Sequence, residues 1–132
     1  MIYKLFFTLL LSFYSFTSFS QSNNETTIKK IKLFINQYSV DPETNKIGKK
    51  AIIYYNKVDR ILDIDNRLVP LLEVKTTYYF SKEFNKHCVT FHCKENDCVS
   101  TPNEGYVRGF SIPFMNKQKC YELIELISQL KK

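Results

Sequence analysis

The chain has 132 residues, with 19 Lys and Arg against 13 Asp and Glu, four cysteines, three glycines and no tryptophan. That length suits one domain with a modest core. The formal charge of +6 is spread over short runs, which excludes the concentrated basic surface of a dedicated nucleic-acid binder, and so few glycines leave little capacity for a phosphate-cradling loop.

The first residues read as a secretory signal: Lys4, an apolar run from Leu5 to Leu11, then Ser18-Phe19-Ser20 before Gln21. Small side chains at Ser18 and Ser20 place the expected cleavage after Ser20. Ser12, Ser15, Thr17 and Ser18 interrupt the apolar segment, which falls short of the roughly 20 apolar residues of a membrane span. Residues 1–20 are therefore expected to be removed and residues 21–132 to form a single exported domain, periplasmic, outer-membrane-associated or extracellular, with no transmembrane segment.

Ser22 and Glu25 stand in capping-box spacing. Ile28, Ile31, Phe34, Ile35 and Tyr38 then recur at helical spacing, with Lys29, Lys30 and Lys32 on the other side. This predicts a helix over about 25–39, ending before Asp41-Pro42. From about 49 to 112 the pattern is that of strands: Lys50–Tyr55 and Arg60–Ile64 as a hairpin, Leu68–Leu71 with Pro70 marking an edge or bend, Val74–Phe80, His87–Cys93, Cys98-Val99, and Tyr106–Ile112. On Val74–Phe80, Val74, Thr76, Tyr78 and Phe80 share one face while Lys75, Thr77 and Tyr79 share the other. Asn116 is placed to cap a last helix over about 116–130, whose stripe is Cys120, Leu123, Ile124, Ile127 and Leu130. Strands bounded by helices predict an α+β domain, an antiparallel sheet of about six short strands with an N-terminal and a C-terminal amphipathic helix.

The strand meander, the Val69-Pro70-Leu71 bend into Glu73-Val74, and Phe114-Met115-Asn116 leading into a terminal amphipathic helix resemble the layout of pleckstrin-homology-like domains. The segments VPLLEVKTTYYF and VTFHCKENDC, with the signal-like start, are similar to small exported uncharacterised proteins of Bacteroidota. The resemblance spans most of residues 47–130. It implies a fold and no particular ligand.

Both histidines and three of the four cysteines fall in HCVTFHCKENDC, residues 87–98. His87, Cys88, His92, Cys93 and Cys98 are the residue types of a zinc site. On a strand, however, Cys88 and His92 share one side roughly 13 Å apart, and His87 and Cys93 the other roughly 20 Å apart. Two ligands so spaced do not meet on one ion, so no metal or other cofactor is expected. An even set of cysteines in an exported domain favours disulfides. Cys93 and Cys98 flank the polar turn Lys94–Asp97 and are the expected bridge. Cys88 with Cys120 is a weaker candidate, because Cys88 lies on the strand face away from Val89, Phe91 and Cys93 whereas Cys120 belongs to a helix that should cover the more apolar face.

No nucleophile, base and orienting acid converge, and no G-x-G-x-x-G, H-E-x-x-H or G-x-S-x-G motif occurs. The expected function is a non-enzymatic binding or accessory module of the cell envelope, with an unknown protein or envelope component as partner and no nucleic acid. Tyr54-Tyr55 and Tyr78-Tyr79-Phe80 put rings on both faces of their strands, so Tyr55 and Tyr79 are the candidate binding surface. Two alternatives remain: a metal- or thiol-dependent site around His87, Cys88, His92 and Cys93, and an anionic membrane-surface binder using Lys29, Lys30 and Lys32.

Overall fold

The structure is a computed structural model that describes residues 24–48 and 50–131. The expected signal over residues 1–20 and the cap at Ser22 lie outside these residues. Within them the fold is α+β: helix α1 (residues 24–38), eight strands in two antiparallel sheets, and helix α2 (Lys117–Lys131). The first sheet contains β1 (Ile53–Asn56), β2 (Ile61–Ile64), β3 (Arg67–Pro70), β6 (Val99–Thr101) and β7 (Gly105–Val107), in the order β1-β2-β3-β6-β7. The second contains β4 (Val74–Ser81), β5 (Lys86–Cys93) and β8 (Gly109–Phe114), in the order β4-β5-β8. The described strands form no closed barrel, and this arrangement does not by itself establish a pleckstrin-homology-like layout.

The turns follow from local chemistry. Asp65 and Asn66 both have positive φ, 51° and 67°, the conformation of a two-residue hairpin turn whose twist matches that of the strands. Asp63 Oδ1 accepts from Asn66 N at 2.9 Å, and Asp65 Oδ1 from Ile52 N at 2.8 Å. These two carboxylates therefore hold backbone. Pro70 sits at the end of β3 opposite Ile61, where its missing N–H is tolerated. Past α1, Asp41 Oδ1 accepts from the amides of Glu43 and Thr44. Gly48, at φ +89°, donates to Ser39 O at 2.8 Å.

The run expected as one strand from Tyr106 to Ile112 is two, because the chain changes sheets at Arg108. Before it, Val107 pairs with Val99; after it, Gly109 pairs with His92 and Phe114 with His87. At the crossing, Cys93 N donates to Arg108 O at 2.8 Å and Cys98 N to Val107 O at 3.2 Å. A Cβ on Gly109 would run into the carbonyl oxygen of Phe91. Glycine is required there by close backbone approach.

Register fixes which face is core. Tyr78, Val89 and Ile112 stand opposite one another, as do Thr76, Phe91 and Phe110, so these residues share a face. Helix α2 packs on the three-stranded sheet, and its Cys120, Leu123, Ile127 and Leu130 join Val89, Phe91, Phe114 and Ile112 in one buried cluster with Ile31 and Ile35 of α1. Asn116 Oδ1 caps α2 by accepting from Lys119 N at 2.9 Å. The two basic residues of its first turn oppose the helix dipole, and each finds a local partner. Lys117 Nζ lies 5.1 Å from the Tyr78 ring centroid, and Lys119 Nζ lies 3.9 Å from that of Tyr38 and 3.1 Å from Glu122.

Gly109→Ala is expected to destabilise the protein by more than about 3 kcal/mol, beyond ordinary overpacking, because the obstacle is backbone. Gly105, at φ +72° with open space around it, should lose only about 1 to 2 kcal/mol on the same change. Urea unfolding of the two variants checks this, and equal midpoints would refute the crossing as described.

Candidate functional site

The segment HCVTFHCKENDC is strand β5, a tight turn and the approach to β6. Cys93 and Cys98 are bonded, with Cα atoms 5.9 Å apart. The bridge ties the end of β5 to the start of β6, beside the point where the chain crosses between sheets. Cys88 and Cys120, the weaker candidate pair, are both buried free thiols with no bond between them. Register explains the outcome: Cys88 stands opposite Tyr79 and Pro113, on the face away from Val89, Phe91 and Cys93.

Burial, and secondarily the neighbouring Cys88, push the Cys120 thiol up to about 12. Burial also raises Cys88, against a smaller lowering by a backbone hydrogen bond from Ser81. A nucleophilic cysteine requires the opposite shift. The strand likewise separates the metal-type residues. His87 Nδ1 is 2.7 Å from the Tyr78 hydroxyl, His92 is exposed on the other face, and Cys93 is in the disulfide. Among the described residues no three His, Cys, Asp or Glu side chains are grouped to hold a metal ion.

The two tyrosines singled out from the sequence do not share a surface. Tyr55 is partly buried: its ring packs against the core, and its hydroxyl donates to Leu130 O of α2 at 3.2 Å, with burial raising its pKa. Its neighbour Tyr54 is the exposed ring of β1. Tyr79 is on the outer face of β4, 56% exposed. Lys29, Lys30 and Lys32 are exposed along α1, and no described helix is long and apolar enough to cross a membrane.

What the fold assembles is a rim of rings along β4. Tyr78 stacks on Tyr121 of α2 at 5.6 Å and on His87 at 5.9 Å, and Phe80 meets His87 edge-on at 5.0 Å. Lys117 lies over both Tyr78 and Tyr121. Phe80, Phe84 at the β4–β5 turn and Tyr121 are all exposed, and with Tyr79 they put large rings on both sides of this strand. Comparison with protein-family models, curated proteins and solved structures finds no match to the chain.

The rim borders an edge. β4 is the outermost strand of its sheet, eight residues long, with no strand beyond it among the described residues. An edge strand offers N–H and C=O groups to a further strand, and a lysine there is one of the devices that discourage chance pairing. Lys75 stands on this edge, with Lys82, Lys86 and Lys117 around the rim, against Glu73 and Glu83 as the acids just before and just after β4. Sequence reasoning put Tyr78 and Phe80 on one face of the strand but missed that Tyr121 and Lys117 of α2 join them. The available signal was the i,i+4 spacing of Lys117 and Tyr121, which puts both on one side of α2.

Alkylation of unfolded, unreduced protein should label two cysteines, Cys88 and Cys120, and reduction should expose two more. Intact mass counts them, and four labels before reduction would dismiss the bridge. Replacing Cys93 and Cys98 together by Ala should lower stability by about 2 kcal/mol, the chain-entropy value for a short loop. Because the folded-state pKa of Cys120 is raised, its contribution is intact below the ordinary thiol pKa of about 8.5 and is lost as pH rises towards 12. Unfolding free energy measured from pH 8 to 11 should fall less steeply in Cys120→Val than in the parent.

Proposed function

We propose that the protein is an exported, non-enzymatic binding module of the cell envelope that holds an extended, acidic segment of a partner protein along the edge of β4. The observation carrying this reading is the coincidence of an eight-residue edge strand with exposed rings on both of its sides and lysines around them. Main-chain pairing to a sheet edge supplies affinity, and alternate side chains supply selectivity. Tyr79 receives residues on the outer face, while Phe80 and the Tyr78–Tyr121 stack receive those on the inner one. The lysines favour carboxylates on the incoming strand and speed its encounter. Export is supported by the signal-like start and by the Cys93–Cys98 bridge, a bond that persists in oxidising compartments.

A capped eight-residue peptide alternating Glu with Val serves as a defined probe. Its titration into labelled protein should perturb the amides of residues 74–81 and the first turn of α2, leave those of residues 53–56 unmoved, and weaken as salt is raised. Lys75→Glu combined with Lys117→Glu should reduce affinity about tenfold, near 1.4 kcal/mol. Perturbation centred on β1, or an affinity indifferent to salt, would count against the surface.

A further inference from the structure

Beside β8, the edge of the three-stranded sheet opposite β4, there is a pocket of about 230 Å³. It lies between β8 and the β2–β3 turn, bounded by the end of α1. Its walls are apolar, from Ile35, Ala51, Ile64, Phe110 and Ile112. Ser39, Asp65, Arg67 and Ser111 are the polar residues of the lining, and the Ser111 hydroxyl is already paired with that of Thr90 at 2.8 Å. Ser39 is 4% exposed, and its hydroxyl has no hydrogen-bond partner among the described residues. The Ser39 backbone is fully engaged, its N–H on Ile35 O and its carbonyl accepting from Gly48, so the hydroxyl alone is left over. Arg67 lies with its guanidinium carbon 5.5 Å from the Phe110 ring centroid and makes no ion pair with a described residue. Asp65 holds the Ile52 amide through Oδ1 and forms no salt bridge with a described residue.

We infer that this pocket is a binding site for a small zwitterion with an apolar body, the chemical class of free apolar α-amino acids. A buried hydroxyl without a partner is uncommon and calls for one. A site of this kind is apolar with a few placed polar groups that fix orientation. Here one cation and one carboxylate stand two residues apart, at the β2–β3 turn. Arg67 accepts a carboxylate, Asp65 receives an ammonium group, and the ligand's apolar body takes the space between Ile35, Ile64 and Ile112. Ser39 supplies the remaining hydrogen bond. A simple anion would meet Asp65 and a simple cation Arg67, so each alone is disfavoured.

Phenylalanine, phenylacetate and phenethylamine, titrated separately into the labelled full chain, decide the matter. Phenylalanine should perturb amides at residues 39, 51, 64 and 110–112 and bind at least tenfold more tightly than either single-charge analogue. Asp65→Asn, which keeps an acceptor for the Ile52 amide, and Arg67→Gln should each weaken phenylalanine about tenfold. Ser39→Ala should weaken it several-fold while leaving the melting temperature equal or higher, an effect opposite to that of a structural serine. Binding of phenylacetate as tight as that of phenylalanine overturns the inference. So do unchanged affinities in the Asp65 and Arg67 variants, or the absence of any perturbation at millimolar phenylalanine. The peptide titration at β4 is independent of all these outcomes.

Discussion

The arrangement of both sheets depends on one close backbone approach, Gly109 against Phe91. At that point a single run of chain stops pairing with β6 and begins pairing with β5, so the first sheet hands over to the second without a loop. A side chain there would hold β8 off β5 by its own thickness. The neighbouring groups reinforce the same crossing: Cys93 N on Arg108 O, Cys98 N on Val107 O, and the Cys93–Cys98 bond between the strands on either side. Phe110, the next residue, stacks on Phe91 at 5.2 Å and carries the Arg67 guanidinium on its ring. The crossing thus also sets one wall of the pocket beside β8.

The elements legible in the sequence are those whose signal is local. Helix α2 announced itself by the Cys120, Leu123, Ile127 and Leu130 stripe and by Asn116, and the strand beginning at Val74 by its alternation. The Cys93–Cys98 bridge followed from two cysteines flanking a polar turn. Strand parity assigned Cys88 to the face away from Val89 and Phe91, as the register has it. What failed to appear was tertiary in origin. Gly109 reads as an ordinary strand glycine, and nothing within a few residues says that another backbone lies against it, so β7 and β8 merged into one predicted strand. Tyr54 and Tyr55 alternate like any exposed and buried pair, and which one turns inward is decided by Leu130, 75 positions away from Tyr55.

The first turn of α2 shows the same limit in electrostatic form. Lys117 and Lys119 beside a helix N-terminus read as unfavourable in isolation. In the fold they carry separate tasks. Lys119 sits over Tyr38 and near Phe34 while bonding Glu122 one turn on, which joins α2 to α1. Lys117 covers Tyr78 and Tyr121, and so belongs to the rim along β4. A charge that looks misplaced along the chain is placed correctly across it.

The two edges of the three-stranded sheet are treated differently by the rest of the chain. The β8 edge is occupied: Ser39 bridges to Phe114, Val40 N donates to Pro113 O, and Val40 bridges in turn to Ile47. Linker residues close it as a short extra strand would. β4, twice as long as β1, β2 or β3, has no described strand on its outer side and is flanked by rings. Edges of that length are commonly shortened, bulged or covered, because an exposed one templates further pairing. Its register against β5 is unbroken from Val74 to Ser81, so no bulge twists it away. Lys75 is the device that remains, and a lysine repels a basic strand while attracting an acidic one. The same residue that guards the edge against self-association therefore selects what can occupy it.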